Sequence, residues 1–167
     1  TNIGIDDLVM DVTGLEAFIN VTHISSMFGD FSNFDLSNLQ ALETLIIFTA
    51  FGSVGILDVS NNINLKYLEL NNTGTLSIDL SNNTLLEELT IFNSNLTTLD
   101  LNNNSNLTYF NIIGNQVLES VFIKNGADES ANIDEGSWLE NWLPGNNPSL
   151  QYVCADDFQI ADIQQWA

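Results

Sequence analysis

The 167 residues carry 22 acidic side chains against two basic ones, a net charge of −20. A field of that sign repels phosphate backbones and anionic membrane surfaces, which excludes nucleic acid as a partner. The apolar fraction of 44% is enough for a continuous core and argues against disorder, while no apolar run approaches the roughly 18 residues that a membrane-spanning helix needs.

Residues 1–20 read as an N-terminal cap, with Leu8, Val12, Leu15 and Phe18 covering the first coil of a repeat that begins at residue 21. No basic stretch followed by an apolar segment stands at the start, so a signal peptide, if the gene encodes one, is expected to have been removed. In the repeat, Ile24, Leu45, Leu68, Leu89 and Phe110 recur at steps of 21, 23, 21 and 21, and Val21, Leu42, Leu65, Leu86 and Leu107 keep the same steps. A second series, Phe34, Leu57, Ile78, Leu99 and Val121, steps by 23, 21, 21 and 22. The two-residue excess falls between Phe48 and Leu57, where Gly52 and Gly55 suit a bulging loop.

Each unit holds two short apolar–x–apolar strands, such as Leu68-Glu69-Leu70 and Ile78-Asp79-Leu80. Alternation at period two turns the leucines inward and the middle residue outward. Asn, Ser, Thr and Gly between the strands turn the chain. A coil of 21 residues with two strands leaves no room for a crossover helix. The expected fold is therefore mainly β: a solenoid of short parallel strands, about five coils over residues 21–125, with coils about 4.8 Å apart. Asn61, Asn82, Asn103 and Asn125 are read as a column of inward amides that bond backbone groups left unpaired at one corner. Asn-x-Ser/Thr triplets at Asn71, Asn82, Asn95, Asn103 and Asn106 follow from the composition of the repeat.

Residues 126–167 break the repeat and bring Trp138, Trp142, Phe158 and Trp166, which suits a C-terminal cap over the last coil. Asp156 is placed to cap a short helix in which Ile160, Ile163 and Trp166 fall at helical spacing. Cys154 is the only cysteine, so no internal disulfide staples the fold.

The L-x-x-L-x-L pattern and the recurring LDLSNN-like stretches resemble the leucine-rich-repeat family. More narrowly, they are similar to the repeats of about 21 residues in secreted Bacteroidetes (flavobacterial) surface proteins. Asp11–Asn20 (DVTGLEAFIN) resembles the lead-in segment of such proteins, and Val121–Ala127 (VFIKNGA) with Asn146–Asp157 (NNPSLQYVCADD) the closing segment. Phe122 stands where the second strand series has Asp, and Ser26 where an apolar residue is usual. The resemblance implies an extracellular, multi-domain cell-surface or released protein, with a C-terminal sorting domain for type IX secretion. It also implies further cysteines beyond Cys154, so this chain is expected to be part of a longer protein whose other domains are its neighbours.

Two constellations are candidates for chemistry. One is the outward carboxylate column Asp58, Asp79 and Asp100, extended by Asp35. Its roughly 5 Å spacing is that of every ladder pair, so a solvated ladder, a calcium site and a catalytic carboxylate pair are the readings it allows. The other is the outward side of the first strand series. Its columns read His23, Thr44, Tyr67, Glu88, Tyr109; then Ser25, Ile46, Glu69, Thr90, Asn111; then Met27, Phe48, Asn71, Phe92, Ile113. Phe48, Tyr67, Glu69, Glu88, Phe92, Tyr109, Asn111 and Ile113 form the candidate ligand-binding face, since aromatic anchors dominate recognition and also stack on sugar rings. His23 has no companion ligand and reads as a surface residue, and no nucleophile elbow or phosphate loop is present. The leading expectation is a non-enzymatic recognition or adhesion module for a protein or glycan, with no cofactor beyond an optional calcium. A passive spacer or secretion-cargo segment is the second reading, and a β-helix polysaccharide-degrading enzyme the third.

Overall fold

Parallel strands in one-to-one register carry the architecture. The computed structural model describes residues 2–5 (backbone), 19–27, 35–49, 54–128 and 146–160. One sheet is six-stranded: β1 (Asn2–Ile5), β2 (His23–Met27), β3 (Thr44–Phe48), β5 (Tyr67–Asn71), β7 (Glu88–Phe92) and β9 (Tyr109–Asn111), neighbours in that order and all parallel. The return side is broken into two smaller sheets. β4 (Ile56–Leu57) pairs with β6 (Ser77–Ile78), while β8 (Thr98–Asp100), β10 (Ser120–Ile123) and β11 (Tyr152–Ala155) run side by side. The chain winds from one side to the other and back, as a leucine-rich-repeat-like solenoid with two strands per coil.

The core is the stack of inward columns that the 21-residue period announces. Ile24, Leu45, Leu68, Leu89 and Phe110 are fully buried, as are Ile47, Leu70, Ile91 and Ile112 two residues on. Val21, Leu42, Leu65, Leu86 and Leu107 line a third column, and Leu36, Val59, Leu80, Leu101 and Ile123 a fourth. Each such side chain contributes about 1.5–3 kcal/mol by leaving water. Ser26 is the exception already visible in the sequence: it is fully buried and its hydroxyl finds no partner among the described residues. The longer step of 23 leaves the register intact, because Leu45 pairs with Leu68. Thr49 N–H bonds the Asn71 carbonyl and Val54 N–H the Thr73 carbonyl, so the two extra residues lie between Thr49 and Val54.

Strand pairing continues past the 21–125 repeat at both ends. Asn2–Ile5 lies in register on His23–Ser26, a step of 21 that Ile3 and Ile24 already spell out in the sequence. Beyond Val121 the step widens to 32, and Val153 takes the next place beside it. Asp156 ties this strand back, accepting the Gly126 N–H at 2.7 Å, while the Gln159 amide oxygen accepts the Asp156 N–H, as in a capping box. The expected helix and the cap residues Leu8, Val12, Leu15, Phe18, Trp138, Trp142 and Trp166 lie outside the described residues; Phe158 is exposed.

The corner ladder corrects the expectation for Asn61, Asn82 and Asn103, which are exposed. The inward column is one residue later: Asn62, Asn83 and Asn104, all fully buried, joined by Asn125. Asn83 Nδ2 donates to the Val59 and Asn62 carbonyls at 3.1 and 2.9 Å, and Asn62 and Asn104 repeat the pattern one coil before and after. The amide thus adds a second donor to carbonyls that already accept a backbone N–H across the turn, as Val59 does from Asn62 and Asn62 from Leu65. Its own oxygen has no partner among the described residues in Asn62, Asn83 and Asn104. A second buried polar column, Thr73, Ser94, Asn115 and Asn147, closes the corner after the six-stranded sheet. There Ser94 donates through both its backbone N–H and its hydroxyl to Asn115 Oδ1, and Asn115 N–H donates to Asn147 Oδ1. This corner takes a left-handed residue in three successive coils, supplied by Asn72, Asn93 and Gly114 at φ of 55°, 50° and 77°. Gly114 has a further reason to lack a side chain, since a Cβ there would collide with the Asn93 amide.

Asn83→Ala is expected to cost about 1–3 kcal/mol in urea unfolding, because two buried hydrogen bonds between coils are lost while each carbonyl keeps its backbone donor. Asn82→Ala, on the exposed neighbour, is expected to stay within about 0.5 kcal/mol of the parent. Equal losses at the two positions would contradict the inward assignment of Asn83.

Candidate functional site

The outward side of the six-stranded sheet is set by the burial of its leucines. With Leu68 and Leu70 inward, β5 presents Tyr67, Glu69 and Asn71; β7 presents Glu88, Thr90 and Phe92; β9 presents Tyr109 and Asn111. Register sets these into rows. Tyr67, Glu88 and Tyr109 lie side by side, Glu69, Thr90 and Asn111 form the next row, and Phe48, Asn71 and Phe92 the third. The structure therefore assembles seven of the eight candidate residues on the last three strands of the sheet, β5, β7 and the edge strand β9, and their β3 neighbour. Ile113 falls past the end of β9 and is half-buried.

The polar members are bonded to one another. Tyr67 O–H donates to Glu69 Oε2 at 2.8 Å, and Asn71 Nδ2 donates to Glu69 Oε1 at 2.7 Å. Asn111 Nδ2 donates to the Tyr109 hydroxyl at 3.2 Å. Desolvation first, then the bond to Glu69 and the nearby charges of Glu69 and Glu88, push the Tyr67 phenol up to about 12. Tyr67 thus stays a neutral donor that holds the carboxylate in place. Asn71, outside the candidate set, belongs to it: it is buried on the outward side, and its amide fixes the second oxygen of Glu69. The sequence shows Asn71 in an outward column but not its bond, which depends on rotamers.

The aspartate column on the return side has a different occupation. Asp35, Asp58, Asp79 and Asp100 each accept, through Oδ1, the backbone N–H two residues on, from Ser37, Ser60, Ser81 and Asn102. Each carboxylate therefore closes the turn that follows it. Hydrogen bonding from Ser37, Ser60 and Ser81 holds Asp35, Asp58 and Asp79 below the ordinary carboxylate value of 3.8, with the hydroxyl leading at Asp58 and the backbone N–H at Asp35 and Asp79. Among the described residues no group of three or more His, Cys, Asp or Glu comes close enough to hold a metal ion. In the last coils the column passes to Phe122 and Cys154, which pair in register. Phe122 packs against Tyr152 with ring centroids 5.6 Å apart, and Cys154 is a half-buried free thiol.

No family model matches the chain, and no curated protein matches it. Among solved structures the chain is similar to a functional domain of InlJ from Listeria monocytogenes, described as including a cysteine ladder. The identity is 16% and the TM-score 0.49, over 94% of this chain. The match spans 39% of that chain's length. No described helix is long and apolar enough to cross a membrane.

Two measurements test these local geometries. Phenolate absorbance, compared between the parent and Tyr67→Phe, should assign Tyr67 a midpoint near 12, and Glu69→Gln should bring it part of the way back toward 10. An unchanged midpoint in Glu69→Gln would deny the Tyr67–Glu69 bond. For the turns, a lowered folded pKa stabilises above the unfolded value and ceases to do so as pH falls through the folded one. Stability should accordingly drop as pH falls from about 4 downward, and less steeply in the Asp58→Asn, Asp79→Asn double variant. Asparagine keeps the turn acceptor, so that variant should melt near the parent at neutral pH.

Proposed function

We propose that this chain is a non-enzymatic recognition or adhesion segment that engages a partner through the outward side of its six-stranded sheet. The observation that carries the reading is the bonded set on that side: Tyr67, Glu69 and Asn71 are tied together, as are Tyr109 and Asn111, with half-buried Phe48 and Phe92 beside them. Side chains ordered before a ligand arrives lose less entropy on binding, and aromatic anchors supply most of the energy at such surfaces. The broad flat array suits a macromolecular ligand, a protein or a glycan, more than a small substrate.

We further propose an extracellular setting, on a secreted or surface-bound bacterial protein, as the resemblance of the repeat sequence to leucine-rich repeats of surface proteins implies. Other domains of such a protein are the expected neighbours of this solenoid. Against the polysaccharide-degrading alternative stands the sameness of the aspartate column. An acid–base pair needs two carboxyls in unequal surroundings. Asp58 and Asp79 accept equivalent backbone bonds and are shifted in the same direction.

The deciding experiment measures the purified chain on a glycan array and in adhesion to cells and matrix proteins, beside Phe92→Ala, Tyr109→Ala. The double variant is expected to lose binding by about 30-fold or more, as for truncation of anchor residues, with an unchanged circular dichroism spectrum. Absence of binding by the parent, or full binding by the variant, would favour the spacer reading.

A further inference from the structure

The polar centre of this surface is richer in acceptors than in donors. Three of its donors are engaged internally, the Tyr67 hydroxyl and the Asn71 amide on Glu69 and the Asn111 amide on Tyr109, while the Tyr109 and Thr90 hydroxyls keep donor capacity. Its larger spare capacity is acceptor. Asn111 Oδ1 has no partner among the described residues although Asn111 is only 8% exposed, and a buried acceptor left unpaired is costly. Each Glu69 oxygen holds one donor and retains lone-pair capacity, and Glu88 offers an exposed carboxylate.

The chain has no lysine or arginine to spare for these groups. Of its two basic residues, Lys66 pairs with Glu43 at 3.1 Å and Lys124 with Asp157 at 3.8 Å. Glu88 is flanked on the neighbouring strands by Tyr67 and Tyr109. With strands about 4.8 Å apart, the two tyrosines stand roughly 10 Å from each other, which leaves room for a planar group over the carboxylate with ring faces nearby.

We propose that Tyr67, Glu69, Glu88, Tyr109 and Asn111 form a pocket for an arginine side chain of a protein partner. The inference rests on the reading of this surface as a recognition face and specifies its occupant. A guanidinium carries five donors and no acceptor, stacks on tyrosine, and sheds its hydration more readily than an ammonium. A sugar hydroxyl carries no charge to set against Glu69 and Glu88, and gains less from these carboxylates than a guanidinium does. A chain of charge −20 draws basic segments toward itself from a distance, and the pocket adds position to that attraction.

The test uses the whole chain and a blocked Gly-Ser peptide bearing three arginines, titrated by calorimetry, with the same peptide carrying citrulline as a neutral isostere. The arginine peptide is expected to bind and the citrulline peptide to bind at least about tenfold more weakly. Glu69→Gln, Glu88→Gln should lose about tenfold or more. Asp79→Asn, Asp100→Asn, which removes two charges from the return side, should change affinity by less than about twofold. Glu88→Gln alone, at an exposed position, keeps the test valid if the double variant unfolds, and should by itself weaken binding severalfold. Equal losses in the two double variants would reduce the effect to undirected attraction and overturn the pocket. So would equal affinity for citrulline, or no binding of the arginine peptide. If neutral glycans bind the parent and Glu69→Gln, Glu88→Gln alike, the arginine pocket falls while the recognition face stands. Failure of the face itself shows separately, in the Phe92→Ala, Tyr109→Ala comparison.

Discussion

A leucine buried in one coil rests on its counterpart in the next, and that contact fixes everything else about the molecule. Side chains on a strand alternate, so pinning Leu45, Leu68 and Leu89 inward leaves no freedom for Thr44, Tyr67 and Glu88, which must face out and must be neighbours. A slip of one residue would carry the whole apolar set into water. The coil with two extra residues shows how firmly the register is held. It keeps Leu45 on Leu68 and sheds its surplus between Thr49 and Val54.

The apolar columns cannot close a coil unaided, because each turn leaves carbonyls and N–H groups facing a dry interior. The corners answer with amides and hydroxyls that add hydrogen bonds to those of the turn itself. Asn62, Asn83 and Asn104 donate down one corner, and Ser94, Asn115 and Asn147 link the other. Where a buried Leu39 precedes Asn62 in the column, the asparagine of the next coil serves its carbonyl. The ladder therefore couples neighbouring coils, as the strands do, and the solenoid is held at its edges as well as along its sheets.

How far this is legible in the sequence depends on what carries the signal. The strands and the outward columns are readable because the spacing of leucines alone dictates them. The asparagine ladder reads one residue out of phase. Three corners offer adjacent asparagines, Asn61 with Asn62, Asn82 with Asn83 and Asn103 with Asn104, and polarity says nothing about which turns inward. The clue lies in the final step, 22 residues from Asn103 to Asn125 against 21 from Asn104. β1 escapes a pattern search because Ile3 and Ile5 are a single apolar pair ahead of a long segment without the motif. At the site, the membership of rows is foreseeable, whereas the bonds of Asn71 to Glu69 and of Asn111 to Tyr109 are not. Those depend on rotamers that a repeat pattern does not encode.

Repetition also limits what such a surface can do. Successive coils give equivalent positions equivalent surroundings, and the aspartates of the return side illustrate it, each closing its own turn in the same way. Chemistry that needs two unlike groups must come from a break in a column. The six-stranded sheet holds such a break: the row Thr44, Tyr67, Glu88, Tyr109 interleaves rings with a carboxylate, and the row below places Glu69 two strands from a buried amide. The break produces a local pattern of rings and acceptors on a stiff frame, at a spacing set by the hydrogen-bond ladder. The stiffness of that surface is inherited from the leucines beneath, and a stiff array loses less entropy in any binding than a mobile one.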